Sequence, residues 1–167
     1  MTDVIVTPSR RGPDPYRAGG KRLFDLLFVV LSAPFALVLV GVLAAIVALD
    51  GHAPIFRQER LGRGGQVFRI WKLRSMVPDA ETRLVSHLAG DPVAATEWAL
   101  SQKLQNDPRV TRFGRFLRKT SLDELPQMLN VLTGDMSLVG PRPMLVSQRD
   151  LYPGEDYYRM RPGITGA

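Results

Sequence analysis

The chain has 167 residues, enough for one domain with a real core and too few for two comfortable ones. Its 22 Lys and Arg against 16 Asp and Glu give a net charge of +6, which favours anionic partners such as phosphates, nucleic acid or acidic lipid. There is no cysteine and the 2 histidines, His52 and His87, are isolated, which excludes disulfides, thiol nucleophiles, Cys-based zinc and a His-rich metal site.

The first twenty residues include Pro8, Gly12, Pro13, Pro15, Gly19 and Gly20, a composition that predicts disorder. From Leu26 to Leu49 the chain runs 24 residues without a charge. As one helix this run is about 36 Å long, against a hydrocarbon core of about 30 Å. A cleaved signal peptide fits poorly, because its apolar region is usually about 7–15 residues and begins earlier. Pro34 interrupts the run and leaves pieces of about 12 and 22 Å, neither of which spans alone. Basic residues flank both ends, Arg10, Arg11, Arg17, Lys21 and Arg22 before it and Arg57, Arg60, Arg63 and Arg69 after it. The positive-inside rule holds both flanks in the cytoplasm. Two arrangements are open: a kinked spanning helix, since proline is tolerated in such helices, or a helix that enters, breaks at Pro34 and returns to the same face.

"PIFRQERLGRGGQVFRIWKLRSM" then predicts two strands around a glycine-rich turn. "GRGG" lacks the phosphate-loop pattern and reads as a hairpin turn. Lys72 and Arg74 leave the second strand toward a loop, where they either bind an anion or are solvated. Residues 79–105 read as helical, with a stop at Gly90, a new start at Asp91-Pro92, and Trp98 and Leu100 as packing residues. In "NDPRVTRFGRFLRK", Val110, Phe113, Phe116 and Leu117 form one apolar face while Arg109, Arg112, Arg115 and Arg118 recur every third residue. This is either an amphipathic surface helix or one that meets a membrane interface or phosphate.

In "KTSLDELPQMLNVL", Ser121 to Glu124 has the spacing of a capping box and Leu125, Met128, Leu129 and Leu132 continue an apolar stripe. Pro126 favours Asp123 as the cap, because the proline then sits in the first turn, where no bond is lost. Either start puts Asp123 and Glu124 at the positive end of a helix dipole, favouring their ionised forms. An ionised aspartate beside arginines is a competent nucleophile toward phosphorus, and a neighbouring glutamate can hold the magnesium that a phosphate substrate brings. Downstream, Arg142 lies between Pro141 and Pro143, so its guanidinium projects from a stiff backbone suited to a phosphate oxyanion, or forms part of a structural turn.

"KRLFDLLF", "FRIWKLRSM", "NDPRVTRFGRFLRKTSLDELPQMLNVLTGDMSLVGPRP" and "RPGITG" together resemble the bacterial sugar transferase family, the monotopic polyprenyl-phosphate phosphoglycosyl transferases. The similarity runs from Lys21 to Gly166, and its long block from Asn106 to Pro143 is highly specific. The helical insert with Trp98 resembles the hexose branch, such as undecaprenyl-phosphate galactose or glucose phosphotransferases. The resemblance implies an α+β, mostly helical fold: a re-entrant helix-break-helix over residues 21–50, broken at Pro34, and a small cytosolic catalytic domain with a β-hairpin over residues 51–167. Family members continue past "RPGITG", so the catalytic domain is expected to be C-terminally incomplete.

The resemblance also implies Asp123 as nucleophile, Glu124 as its catalytic partner and Mg²⁺ ligand, and Arg118 and Arg142 as phosphate contacts. Lys72 and Arg74 match the family's basic strand-end motif. The implied reaction moves a sugar-1-phosphate from a UDP-sugar to undecaprenyl phosphate through an aspartyl phospho-sugar, starting exopolysaccharide, O-antigen or capsule assembly. It implies Mg²⁺ as cofactor and the cytoplasmic face of the bacterial inner membrane as location. Its partners are the donor, the polyprenyl phosphate and membrane lipid, with no nucleic acid, and a homodimer is allowed. Three other readings stand beside it: a membrane-anchored basic binding module without chemistry, an aspartate-based phosphatase, and a truncated inactive fragment.

Overall fold

The computed structural model describes residues 19–151 and 156–166. The disorder expected of residues 1–20 falls outside these except at Gly19 and Gly20, and Gly20 already has helical φ and ψ. The architecture is α+β, with one antiparallel hairpin beside an apolar N-terminal helix.

Helix α1 is a single 28-residue helix, Lys21–Ala48, with Pro34 inside it. The expected division into two helices at Pro34 is therefore not present. Proline removes one intrahelical N–H, a loss that a long apolar helix tolerates. Just upstream, the Ser32 hydroxyl donates to Phe28 O at 2.6 Å and adds a bond in the turn that the proline weakens. Among the described residues α1 is the one helix long and apolar enough to cross a membrane. Its middle faces outward, with Phe35 81% exposed, a surface that calls for an apolar partner.

Both ends of α1 are fastened to the same globular body. Near its start, the buried Asp25 accepts from the Ser137 hydroxyl at 2.6 Å and from Leu138 N at 3.3 Å, while Lys21 bonds Ser137 Oγ and the Val139 carbonyl. Arg22 donates to the carbonyls of Val131 and Leu132. Val29 then enters a core with Ile70, Val131 and Met136. Toward the other end, Leu43 enters a second core with Leu73 and Leu117.

Strands β1 (Ile55–Leu61) and β2 (Val67–Leu73) form the expected antiparallel hairpin, in register from Ile55 opposite Leu73 to Leu61 opposite Val67. The turn uses Gly64 and Gly65 at φ 68° and 73°, which glycine adopts without a Cβ penalty. Helices α2 (Ala80–Gly90) and α3 (Pro92–Ser101) divide where the sequence predicts. The Asp91 carboxylate accepts from Val93 N and Ala94 N, and Pro92 opens the helix. Leu100, expected to pack, is 84% exposed.

Helix α4 (Arg112–Thr120) is capped by Thr111, whose hydroxyl accepts from Gly114 N at 2.8 Å. It ends at Ser121, which has φ 57°. A 3-10 helix, Leu122–Gln127, and α5 (Met128–Thr133) follow. The expected capping box does not form. Ser121 is left-handed because it terminates α4, whereas a side-chain N-cap needs extended backbone. Asp123 is not the cap either; it lies inside the first turn of the 3-10 helix. The short strands β3 (Ser137–Val139) and β4 (Gly163–Thr165) pair in parallel, with α6 (Asp156–Arg159) between them in sequence.

Candidate active site

The period of two along the hairpin decides which side chains share a face. Phe56, Gln58 and Arg60 on β1 stand opposite Lys72, Ile70 and Phe68 on β2. Most of this face lines a cleft of about 1460 Å³, which also takes in Asp123, Glu124, Arg118 and Arg142. The other face is spent on itself: Arg57 lies 3.8 Å over the Trp71 ring, and Arg69 pairs with Glu59 at 3.3 Å.

The acid pair reaches the cleft from the 3-10 helix, which is held against β2. The buried Asn130 amide donates to Arg69 O at 2.8 Å and accepts from Trp71 N at 3.2 Å, satisfying the edge of β2 that β1 leaves open. Beside that clamp, Lys72 Nζ donates to Glu124 Oε1 at 2.6 Å. Asp123 is only 7% exposed. Burial pushes its carboxyl above the usual range, Lys72 and Arg118 pull it back, and the Glu124 charge adds to the rise. The expected preference for the ionised form is thus reversed in direction, because desolvation outweighs the helix end.

The arginine stripe divides. Arg109, Arg115 and Arg118 line the cleft and Arg112 does not, but Arg109 is already held by the Asp107 carboxylate at 2.7 Å and lies 4.8 Å over Trp98. Arg118 Nε donates to Ser75 Oγ at 2.8 Å. That contact depends on Gly114, where a Cβ would stand 2.0 Å from the Ser75 carbonyl oxygen. Arg142 is exposed on its loop, which is sewn to the end of β1. Leu61 N donates to Met144 O at 2.9 Å, and Tyr157 Oη donates to Leu61 O while accepting from Met144 N. Arg74 borders the cleft, but its guanidinium is engaged with the end of α1, donating to Val47 O at 3.1 Å and to Asp50 Oδ1.

No group of three or more Asp, Glu and His is gathered among the described residues. A Mg²⁺ that keeps most of its waters and phosphate oxygens needs only one or two carboxylates, so Asp123 and Glu124 fit it.

Residues 16–167 match the model of the bacterial sugar transferase family. The chain belongs to that family. It is 49% identical over 148 residues to the UDP-galactose-lipid carrier transferase of Erwinia amylovora, covering 87% of this chain and 31% of the relative. It is 48% identical over 148 residues to the undecaprenyl-phosphate galactose phosphotransferase of Salmonella typhimurium, again 87% and 31%. It is 41% identical over 172 residues to the exopolysaccharide production protein ExoY of Sinorhizobium fredii, covering 99% of this chain and 75% of the relative. The chain thus spans about a third of the length of the first two relatives.

In this bacterial sugar transferase, Asp123, Glu124, Lys72, Arg118 and Arg142 all meet one cleft, and Arg74 touches its border. Gln58, Arg60, Ser75 and Asn130 were not singled out as site residues from the sequence. The hairpin register carried the signal for Gln58 and Arg60, which fall on the face of Lys72. Nothing local marks Asn130.

Proposed function

We propose that this chain transfers a sugar-1-phosphate from a UDP-sugar to a polyprenyl phosphate such as undecaprenyl phosphate, at the cytoplasmic face of the inner membrane, beginning exopolysaccharide, O-antigen or capsule assembly. One observation carries the reading: a buried aspartate whose glutamate neighbour is held by Lys72, in a cleft whose remaining charged side chains are largely cationic. The names of the Erwinia and Salmonella relatives support the donor and acceptor classes.

An Asp123 carboxylate oxygen attacks the phosphorus that bears the sugar. The bond from that phosphorus to the bridging oxygen breaks, and UMP leaves with the electron pair. A polyprenyl phosphate oxygen then attacks the same phosphorus, the aspartyl P–O bond breaks, and the carboxylate is restored. One pyrophosphate is exchanged for another, so no ATP is consumed. Covalent catalysis lets both displacements between polyanions use the same cations, Arg118, Arg142 and Lys72. Glu124, with Asp123 beside it, is the group that would hold Mg²⁺, which when bound neutralises pyrophosphate charge. Burial raises the basicity of Asp123 above that of an ordinary carboxylate, which strengthens it as a nucleophile once ionised.

The membrane arrangement follows from α1. A straight helix of this length is about 42 Å, yet its two ends are fastened to one globular body. That supports a helix lying in one leaflet with both ends on the cytoplasmic side, which brings a lipid phosphate to the cleft at the interface.

The test is UMP release from a panel of UDP-sugars with undecaprenyl phosphate and Mg²⁺, using the chain in lipid discs. The transferase releases one UMP per chain without acceptor and further UMP in proportion to acceptor. A binding module or an inactive fragment releases none, and a phosphatase hydrolyses donor without acceptor.

A further inference from the structure

Arg60 is a cation in the cleft that the reaction above leaves unused. Its Nη2 donates to Gln58 Oε1 at 2.6 Å and its Nη1 reaches Pro143 O at 3.4 Å, while Nε is buried with no hydrogen-bond partner among the described residues. A guanidinium has five N–H donors in a rigid fork, and among the described residues this one forms no ion pair with a carboxylate. The Arg60 contact to Pro143 O brings it to the residue that follows Arg142, and the Leu61–Met144 bridge fixes that approach. Two guanidinium groups thus line the same cleft, and among the described residues neither forms an ion pair with a carboxylate. Burial first, and the Arg142 charge after it, press the Arg60 pKa below its usual value, while Tyr157 and the Glu124 charge pull it part of the way back.

We propose that Arg60, oriented by Gln58, forms with Arg142 a two-guanidinium clamp that grips one phosphate group of the substrates. The proposal rests on the transferase reading for the identity of those substrates, but the anion site itself does not require it. A phosphate between two forks supplies the acceptors that Arg60 lacks and relieves the repulsion between the two cations. The phosphate comes either from the donor pyrophosphate or from the lipid acceptor, and kinetics distinguish them.

The probe is inorganic pyrophosphate without metal, titrated against the full chain while the melting temperature is followed. The wild-type chain is expected to gain stability on binding. Arg60→Met, which keeps the apolar stem, should bind pyrophosphate at least about tenfold more weakly, a size in keeping with loss of a charge-assisted fork. Arg69→Met, on the opposite face of the same hairpin, should bind as wild type does. Wild-type affinity in a folded Arg60→Met overturns the clamp. Should that variant fail to fold, Arg60→Lys decides: it retains charge but not the fork, and undiminished affinity overturns the clamp.

Exchange of labelled UMP into UDP-sugar reports the donor alone. A raised donor KM in exchange assigns the clamped phosphate to the donor. Normal exchange with a raised KM for polyprenyl phosphate assigns it to the acceptor. A wild-type chain that binds pyrophosphate through Arg60 but exchanges no UMP keeps the clamp and discards the transferase. Wild-type exchange undisturbed by Arg60→Met, with pyrophosphate binding also unchanged, does the reverse.

Discussion

Lys72 Nζ lies 2.6 Å from Glu124 Oε1 and ties the end of β2 to the helix that carries Asp123. Burial raises the Asp123 pKa first, and the pair then tunes it in opposite senses: Lys72 lowers it and Glu124 raises it. Below that pKa the carboxyl is protonated and cannot attack, so the rate of UMP exchange falls as pH falls. Lys72→Met should move this acid limb to higher pH and Glu124→Gln should move it to lower pH, whatever each does to the maximal rate. Limbs that stay in place in both variants would detach Asp123 from the chemistry.

The same burial has a cost in stability. The folded protein holds the Asp123 proton more tightly than the unfolded chain does, since its pKa is raised above 3.8. The ionised form therefore destabilises the fold above the folded pKa, and this penalty fades as pH falls through that pKa and is gone below 3.8. Asp123→Asn should melt a few degrees higher than wild type at pH 7 and lose that advantage toward pH 4. A variant that is less stable than wild type at pH 7 would mean that the carboxylate is a structural ion.

Gly114 permits the contact between α4 and the Ser75 backbone on which the Arg118 position depends. Gly114→Ala should cost about 1–3 kcal/mol by overpacking and should reduce activity with it. Ser75→Ala removes only the Arg118 acceptor and should cost about 1 kcal/mol. Chemical denaturation of both variants checks the order.

Tyr157 joins β1 to the Arg142 loop through one hydroxyl that serves two backbone groups. Tyr157→Phe leaves both short of a partner and should destabilise by about 1–3 kcal/mol. Because the loop carries Arg142, the KM of the substrate whose phosphate Arg142 grips, donor or acceptor, should rise more than kcat falls. Unchanged KM values for both substrates would separate the loop from phosphate binding.

The chain has no cysteine, so one introduced thiol is a unique label. Gly19→Cys and Ala53→Cys flank α1. Both should resist a membrane-impermeant thiol reagent in intact cells and react after lysis. Labelling of one alone in intact cells would mean that α1 spans the bilayer.

What could be read in advance was what local chemistry decides. The Asp91-Pro92 start and the glycine turn of the hairpin need no partner from elsewhere in the chain, and both appear as expected. The favoured Asp123 cap does not form because the 3-10 helix starts one residue earlier, and the Ser121 alternative does not form because that residue ends α4. Arg74 read as a strand-end cation, yet its partner Asp50 lies at the end of α1 and is brought near only by packing of α1 on the domain. The three-residue strands β3 and β4 carry no periodicity to detect and exist because Gly140 and Gly163 let their backbones approach. The helix runs on through Pro34, since one lost N–H does not end a helix of this length.

The central claim is the covalent role of Asp123, and the mass of the intact chain tests it most directly. With UDP-sugar and Mg²⁺ but no polyprenyl phosphate, the wild-type chain should gain the mass of one phospho-sugar, located on Asp123 by peptide mapping, and release one UMP. Added polyprenyl phosphate should remove the adduct. Asp123→Asn, nearly identical in shape, should gain nothing. An adduct on another residue, or UMP exchange persisting in the Asn variant, would contradict the account.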